Sequence, residues 1–125
     1  MKEMSNEREH PLQVCYAARA FIETLILWII HRRPTYGYQV RKEIEQITTG
    51  NYNPKPGSIY TILRRMEKKG LLRSVWEEGK DERKRRIYYV TSQGESLLRE
   101  RIKMIKKRID ILRQLISYYD SVLQE

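Results

Sequence analysis

The sequence predicts a mainly α-helical fold with one small β-hairpin, in the order of three helices, two strands and one long helix. Three observations predict this class. Apolar residues recur at helical spacing in four segments. Two short segments before the last helix are rich in β-branched and aromatic residues, which favour strands. The C-terminal segment carries an unbroken heptad pattern, which is typical of a helix that pairs with another helix.

Composition limits the classes of partner. The chain has 125 residues, a net charge of +9 and an isoelectric point near 9.8, which suits one domain that binds a phosphate-rich partner. Basic proteins that bind membrane surfaces or ribosomes share these values. The single cysteine, Cys15, forms no internal disulfide. The longest apolar run, residues 25–30, is too short to cross a bilayer, and residues 1–10 lack the apolar core of a signal peptide. We therefore expect a cytoplasmic protein with no membrane partner.

The first two helices follow a short arm. Residues 1–15 are expected to form a flexible N-terminal arm, and residues 16–33 a helix that is apolar on more than one face and ends at Pro34. Thr35 is the predicted N-cap of a second helix, and Gly50 is its predicted C-cap. Residues 51–57 contain Pro, Gly and Asn and are expected to be a loop.

The third helix is predicted from residue 58 to residue 69, with Gly70 after its end. Ile59, Ile62, Leu63 and Met66 form its apolar stripe. At about 100° per residue, Thr61, Arg64 and Lys68 point away from that stripe. One face is therefore suited to a core, and the other is polar and positively charged.

A hairpin and the long helix complete the chain. Residues 72–77 and 86–91 are the predicted strands, and the polar residues between them form the tip. The last helix runs from about residue 92 to residue 123, capped by Thr91 or Ser92, with Ser92 and Glu95 fitting a capping box. Its heptad positions are the predicted dimer interface: Leu98, Ile102, Ile105, Ile109, Leu112, Ile116, Tyr119 and Leu123.

This order of elements predicts a winged helix-turn-helix domain in residues 16–91 and a dimerisation helix in residues 92–125. The third helix is then the recognition helix, whose polar face reaches base edges and phosphates of double-stranded DNA. The hairpin is the wing, whose cations reach the backbone or a minor groove. The candidate DNA-binding residues are Tyr38, Ser58, Tyr60, Thr61, Arg64, Arg65, Lys68, Lys80, Arg83, Lys84, Arg85 and Arg86.

Several segments together resemble the PadR family of transcriptional regulators. They are residues 34–38 (PTYGY), 57–60 (GSIY), 63–72 (LRRMEKKGLL), Trp76, and residues 88–91 (YYVT) with Gly94. The resemblance implies a winged-helix homodimer that represses transcription by occupying operator DNA, often relieved by a small-molecule effector. The chain departs from the family pattern in its longer, mixed-charge wing tip after Gly79, and in a C-terminal helix without the Trp that some members use to stack a planar ligand.

The competing interpretations are specific. The cations of the third helix, the wing and the long helix can also be solvated surface, and Tyr60 can be a packing residue. Trp28 and Trp76 are expected in the core, and His10 and His31 have no metal-ligand spacing and no predicted carboxylate partner. The sequence contains no phosphate-binding glycine loop, metal cluster or nucleophile motif, so we expect neither an enzyme nor a cofactor. An architectural DNA-binding protein with little sequence preference is the alternative to a sequence-specific regulator.

Overall fold

The computed structural model describes residues 19–49, 56–78 and 84–124. The first helix, α1, occupies residues 19–32 of the described chain. The other elements, in order, are β1 (Thr35–Tyr36), α2 (Gly37–Ile47), α3 (Pro56–Lys68), β2 (Leu72–Glu78), β3 (Lys84–Val90), α4 (Ser92–Tyr118) and a π-helical turn (Tyr119–Leu123). The predicted fold class is confirmed. The predicted N-terminal arm, the loop up to residue 55 and Gly50 lie outside the described residues.

The core forms around α1, as its apolar sequence requires. Ile26, Leu27, Ile29 and Ile30 are at most 1% exposed, so α1 is covered on more than one side. The apolar stripes of the next two helices pack against it, through Val40 and Ile44 of α2 and through Ile59, Leu63 and Met66 of α3. Leu72, Tyr88 and Leu98 complete the core from the hairpin and from the start of α4.

The hairpin belongs to a three-stranded antiparallel sheet in the order β1-β3-β2. Its third strand is the two-residue β1, in which Thr35 lies opposite Tyr88. The prediction that Thr35 caps α2 is therefore wrong. Thr35 is buried and extended, and the N-cap position falls on Tyr36, which makes no side-chain capping bond. Pairing with β3 satisfies the backbone of this segment instead.

Both middle helices differ slightly from the predicted bounds. α3 begins at Pro56, two residues earlier than predicted, and proline is favoured in the first turn of a helix because its missing N–H needs no partner there. The predicted break at Gly70 is confirmed, since its φ of +83° lies in the left-handed region that glycine tolerates. α2 ends at Ile47, and Thr49 follows with a φ of +52°.

The junction between α3 and α4 is tightly bonded. The Thr91 hydroxyl accepts a hydrogen bond from the Gly94 amide at 3.0 Å and donates one to the Gly70 carbonyl at 2.6 Å. The Thr91 amide also donates to the Leu71 carbonyl at 3.1 Å. Thr91 is thus the N-cap of α4, and the predicted capping box of Ser92 and Glu95 is wrong. The end of α3 and the start of α4 are held together by these bonds.

Glu95 contacts α1 rather than capping α4. Its carboxylate lies 2.7 Å from His31 Nε2 and 2.9 Å from an Arg99 guanidinium nitrogen. The hydrogen bonds from His31 and Arg99 lower the pKa of the Glu95 carboxyl below its ordinary value. The expectation that His31 has no carboxylate partner is therefore wrong.

Gly94 lies where α4 passes closest to the segment between α3 and β2. A Cβ atom added there would overlap the carbonyl of Leu71 and approach Val90 Cγ1 to 2.9 Å. We expect Gly94→Ala to lower the free energy of unfolding by about 1–3 kcal/mol, because backbone cannot give way as a flexible side chain can. Urea unfolding of both proteins measures the loss. Ser96→Ala is the control, because Ser96 is exposed and lies two residues further along the same helix. Equal stability of Gly94→Ala and wild type would contradict the prediction.

A buried carboxylate joins α1 to α4 and to the residue that follows α3. The Glu23 side chain on α1 is 5% exposed, and its two oxygens lie 3.6 Å from an Arg101 guanidinium nitrogen and 3.5 Å from Lys69 Nζ. Arg101 also donates to the Ala20 carbonyl at 2.7 Å and to the Thr24 hydroxyl at 3.1 Å. The first turns of α4 are thereby fixed to α1 by charge as well as by the packing of Leu98.

The rest of α4 has no covering in its own chain. Every described residue from Ile102 to Gln124 is exposed. Leu98, the first of the predicted interface positions, instead lies in the core of its own chain at 7% exposure. Within the described residues, no helix combines the length and the apolar character needed to cross a membrane.

Candidate nucleic-acid interface

An open groove with a volume of about 1130 Å³ lies between the start of α2, one edge of α3 and the hairpin. The segment before α2 and its first turn form one wall, α3 forms the second, and the inner face of the hairpin forms the third. The lining residues are Arg33, Pro34, Thr35, Tyr36, Gly37, Tyr38, Gln39, Tyr60, Arg64, Trp76, Lys84, Arg85, Arg86 and Tyr88.

α3 presents Tyr60 and Arg64 to this groove. The two residues are one helical turn apart and flank the buried stripe on its hairpin side, while Ile59 and Leu63 face the core. Tyr60 can lie there because α2 begins with a glycine. A Cβ atom on Gly37 would come within 2.6 Å of the Tyr60 ring, so a larger residue would displace that ring. The glycine thus allows α2 and α3 to approach closely at the mouth of the groove.

The hairpin places its cations on alternate faces. Trp76 lies opposite Arg86 in the sheet, and Ser74 lies opposite Tyr88. Successive strand residues point to opposite faces, so Lys84 and Arg86 share the inner face with Trp76, and Arg85 points to the outer face. The Arg85 guanidinium lies 5.3 Å from the centroid of the Tyr36 ring, at the rim of the groove. Arg86 and Tyr88 accordingly lie on the opposite face of the sheet from Ile87 and Tyr89.

The groove is electropositive. Its lining contains five cationic side chains and, among the described residues, no acidic one. Arg64 and Lys84 have no ion-pair partner within the part of the chain that the structure describes, so their charge is available to a ligand. Arg86 is partly engaged, since it lies 3.9 Å from Glu67 of α3. Burial raises the pKa of the Tyr88 hydroxyl, so this ring stays neutral beneath the cations.

The chain thus combines three features. They are a helix-turn-helix with a polar face, a basic hairpin beside it and a long exposed helix. A family model described as the transcriptional regulator PadR-like family matches residues 26–100, which include every wall of the groove. The chain belongs to the PadR-like family. This family consists of transcriptional regulators, and the resemblance inferred from the sequence motifs is confirmed.

Two relatives of this PadR-like chain are similar over most of its length. The transcriptional regulator YqjI of Escherichia coli is 38% identical over 91 residues, which are 70% of this chain and 42% of the relative. The chain therefore matches less than half of that protein. A protein of Lysinibacillus sphaericus is 30% identical over 96 residues, covering 74% of this chain and 88% of the relative.

Solved structures agree with the PadR-like assignment. A transcriptional regulator from Thermoplasma acidophilum is similar with a TM-score of 0.71 and 26% identity, covering 82% of this chain and 96% of that one. A PadR family transcriptional regulator from Eggerthella lenta has a TM-score of 0.67 and 26% identity, over 90% of this chain and 96% of that one.

The structure gathers half of the predicted DNA-binding residues of this PadR-like chain around one groove. These are Tyr38, Tyr60, Arg64, Lys84, Arg85 and Arg86. Four others, Ser58, Thr61, Arg65 and Lys68, lie on α3 outside the lining of the groove, and three of them are exposed. Lys80 and Arg83 lie outside the described residues.

Sequence reasoning missed Arg33, Tyr36 and Trp76 as lining residues. Arg33 and Tyr36 lie on either side of Pro34 and Thr35, just before α2. Only the hydrogen bonding of β1 to β3 brings this segment beside the hairpin. The prediction that Trp28 and Trp76 are core residues is wrong, because their exposed fractions are 38% and 61%. An arginine lies over each ring, Arg32 at 4.9 Å and Arg86 at 4.6 Å from the centroid. Their aromatic character was visible in the sequence, but their position at the edge of the core was not.

Proposed function

We propose that this PadR-like chain is a sequence-specific regulator that binds double-stranded DNA as a homodimer and represses transcription by occupying a pseudo-palindromic operator, with the cytoplasm as its place of action. One observation carries the proposal: the groove between α3 and the hairpin is lined by five cations without an acidic residue among the described lining. A concave, positively charged surface beside an exposed helix edge suits the phosphate backbone and groove edges of a duplex.

The exposed surface of α4 supports a homodimer. The heptad positions after Leu98 are between 37% and 60% exposed: Ile102, Ile105, Ile109, Leu112, Ile116, Tyr119 and Leu123. A second row about 100° around the helix adds Met104, Ile111, Leu115, Tyr118 and Val122. Apolar surface of this extent on one helix is typical of an interface with another chain. A second copy supplies the same heptads, which makes it the simplest occupant.

α1 also has exposed apolar side chains. Phe21 and Trp28 are seven residues apart, so they lie on the same side of α1, and both are exposed at 54% and 38%. We propose that this side of α1 contributes to the interface that α4 forms. Two symmetric recognition helices then read half-sites about one helical turn of DNA apart, or a multiple of it.

The proposed roles differ between α3 and the hairpin. Thr61 in the second turn of α3 and Arg64 in the third contact base edges, with Ser58 and Tyr60 beside them, because a recognition helix lies in the major groove with its polar face toward the bases. Arg64 suits guanine, whose O6 and N7 accept both of its donors. Lys68 and the wing cations Lys80, Arg83 and Lys84 contact phosphates, which position the protein without reading sequence.

Two single substitutions test these roles. We expect Arg64→Ala to reduce the ratio of operator affinity to random-duplex affinity by about tenfold or more, the equivalent of about 1–3 kcal/mol for a lost bidentate contact. Lys84→Ala is expected to weaken both duplexes alike and to lower the slope of log affinity against log salt by about one. Fluorescence anisotropy across a salt series measures both effects on duplexes selected from genomic DNA.

Lys103→Ala is the control, since Lys103 is exposed on the polar face of α4, away from the groove. It should leave the affinity ratio unchanged. If Arg64→Ala binds both duplexes as tightly as wild type, α3 is not the recognition helix. If random duplex displaces wild type from every selected site, the protein is an architectural DNA-binding protein and not a sequence-specific regulator.

A further inference from the structure

Trp76 is an exposed indole on the inner face of the hairpin. Alternation along β2 places it on the same face as Leu72, which is 2% exposed, and Ser74, whose hydroxyl donates to Glu67 of α3 at 2.7 Å. Strand residues on that face are expected to pack into the core. Trp76 lies one pair beyond Ser74 and Tyr88, past the edge of the core, and therefore faces the groove with 61% of its surface exposed.

Arg86 holds this indole in place. Its guanidinium lies 4.6 Å from the Trp76 ring centroid and 3.9 Å from a Glu67 carboxylate oxygen. The cation covers one face of the ring while the ion pair ties the cation to α3. The exposed remainder of the indole is consequently presented in a restricted orientation, so a ligand that covers it loses little side-chain entropy on binding.

The charges around Trp76 favour a polyanion as the ligand that contacts it. Arg64 and Lys84, which form no ion pair with the described residues, line the same groove, and no described acidic side chain lines it. The indole is also continuous with the surface that the proposed function assigns to DNA. A tryptophan combines an apolar ring with an N–H donor, which suits the deoxyribose ring and the adjoining phosphate oxygen of a DNA backbone.

We propose that Trp76 is a DNA-contacting residue, with its ring packed against the sugar-phosphate backbone between the segments bound by Arg64 and Lys84. The proposal rests on the proposed function and adds a contact to it that involves no formal charge. The bases of an intact duplex are stacked on one another, so the ring contacts the backbone and does not intercalate. Trp76 thus increases affinity for any duplex of the correct shape.

The two tryptophans of the chain allow a direct optical test. In Trp28→Phe, Trp76 is the only tryptophan, and in Trp76→Phe only Trp28 remains. We expect saturation with the selected duplex to lower the acrylamide quenching constant of Trp76 at least about threefold, because the backbone covers the ring. The quenching constant of Trp28, which is on α1 away from the groove, should not change. If Trp28→Phe loses its fold by circular dichroism, the difference between wild type and Trp76→Phe gives the same quantity.

A binding series accompanies the optical test. Trp76→Ala should weaken operator and random duplex by a similar factor of about ten, with an unchanged salt slope, because no cation is lost. Val75→Ala is the matched control, since Val75 is exposed at 42% on the opposite face of the same strand, and it should bind as wild type does.

The possible failures are distinguishable. If wild type binds no duplex in an anisotropy titration, the proposed function and this inference both fail. If wild type binds its selected duplex tightly while the quenching constant of Trp76 stays the same, only the inference is overturned. A change in the salt slope of Trp76→Ala would also overturn it, because the indole would then act by positioning Arg86.

Discussion

Changing Ile105 and Ile109 together to glutamate is expected to convert the protein from a dimer to a monomer. Both side chains lie on the heptad face of α4, and they are 44% and 37% exposed in the single chain. Burying a fully exposed isoleucine contributes about 1.5–3 kcal/mol, and about two fifths of each side chain remains for the dimer to bury. Losing four such side chains per dimer therefore costs about 2–5 kcal/mol, or about 10²- to 10³-fold in the dissociation constant. Four carboxylates enclosed in one seam repel one another and add to this loss.

Sedimentation equilibrium at micromolar concentration measures the change. Gln114→Glu with Ser117→Glu is the matched control, because it adds the same two charges to the polar face of α4, and it should remain dimeric. The monomer should also bind a full operator far more weakly, since it engages one half-site at a time. Wild-type protein that sediments as a stable monomer under these conditions would disprove the proposed assembly.

The second large effect is expected from Arg101→Met. Glu23 is 5% exposed at its side chain, and one of its buried oxygens accepts no hydrogen bond from the described residues. Removing the guanidinium leaves this carboxylate with Lys69 alone, at 3.5 Å. An incompletely compensated buried charge costs about 3–5 kcal/mol of stability. Methionine keeps much of the apolar contact that the arginine stem makes, so the loss reports mainly on the charge.

Urea unfolding measures this loss, and a double-mutant cycle assigns it. Adding Glu23→Gln to Arg101→Met removes the buried charge, so the double variant should be more stable than Arg101→Met alone. Arg99→Met is the control, because Arg99 is 71% exposed at its side chain and pairs with Glu95 at the surface. It should cost no more than about 1 kcal/mol. Equal losses for the two arginine variants would contradict the structural role given to Arg101.

Periodicity in the sequence was sufficient to predict the helices and the hairpin. The stripes of α2 and α3 and the alternation of β3 depend on neighbours a few residues away, so they are visible in one sequence. Thr35 shows the limit of this approach. Its type and position suit a helix cap, but a tertiary contact with β3 turns it into a strand residue. A strand of two residues has no period that a sequence pattern could reveal.

Most cations of the candidate site were predictable, as were Tyr38 and Tyr60, whereas Arg33, Tyr36 and Trp76 were not. Arg64 follows from helical geometry once α3 is recognised, and Lys84 follows from the basic residues at the tip of the predicted hairpin. The exposure of Trp76 could not be predicted in this way. Strand alternation places Trp76 correctly on the inner face, but where the core beneath that face ends depends on the folded domain. His31 and Glu95 are likewise brought together only by the packing of α1 against α4, across a sequence separation of 64 residues.

The hydrogen bonds of Thr91 tie the end of α3 to the start of α4, so we expect these two ends to move together. α4 contains 27 residues and is therefore about 40 Å long. In a dimer joined along the C-terminal half of α4, the N-terminal half of that helix connects the seam to the recognition helix α3. A tilt of about 10° at the seam moves the other end, about 20 Å away, by roughly 3.5 Å, which is close to the rise of one base pair. In the proposed homodimer, the crossing angle of the two α4 helices therefore sets how far apart the two halves of the proposed operator must lie.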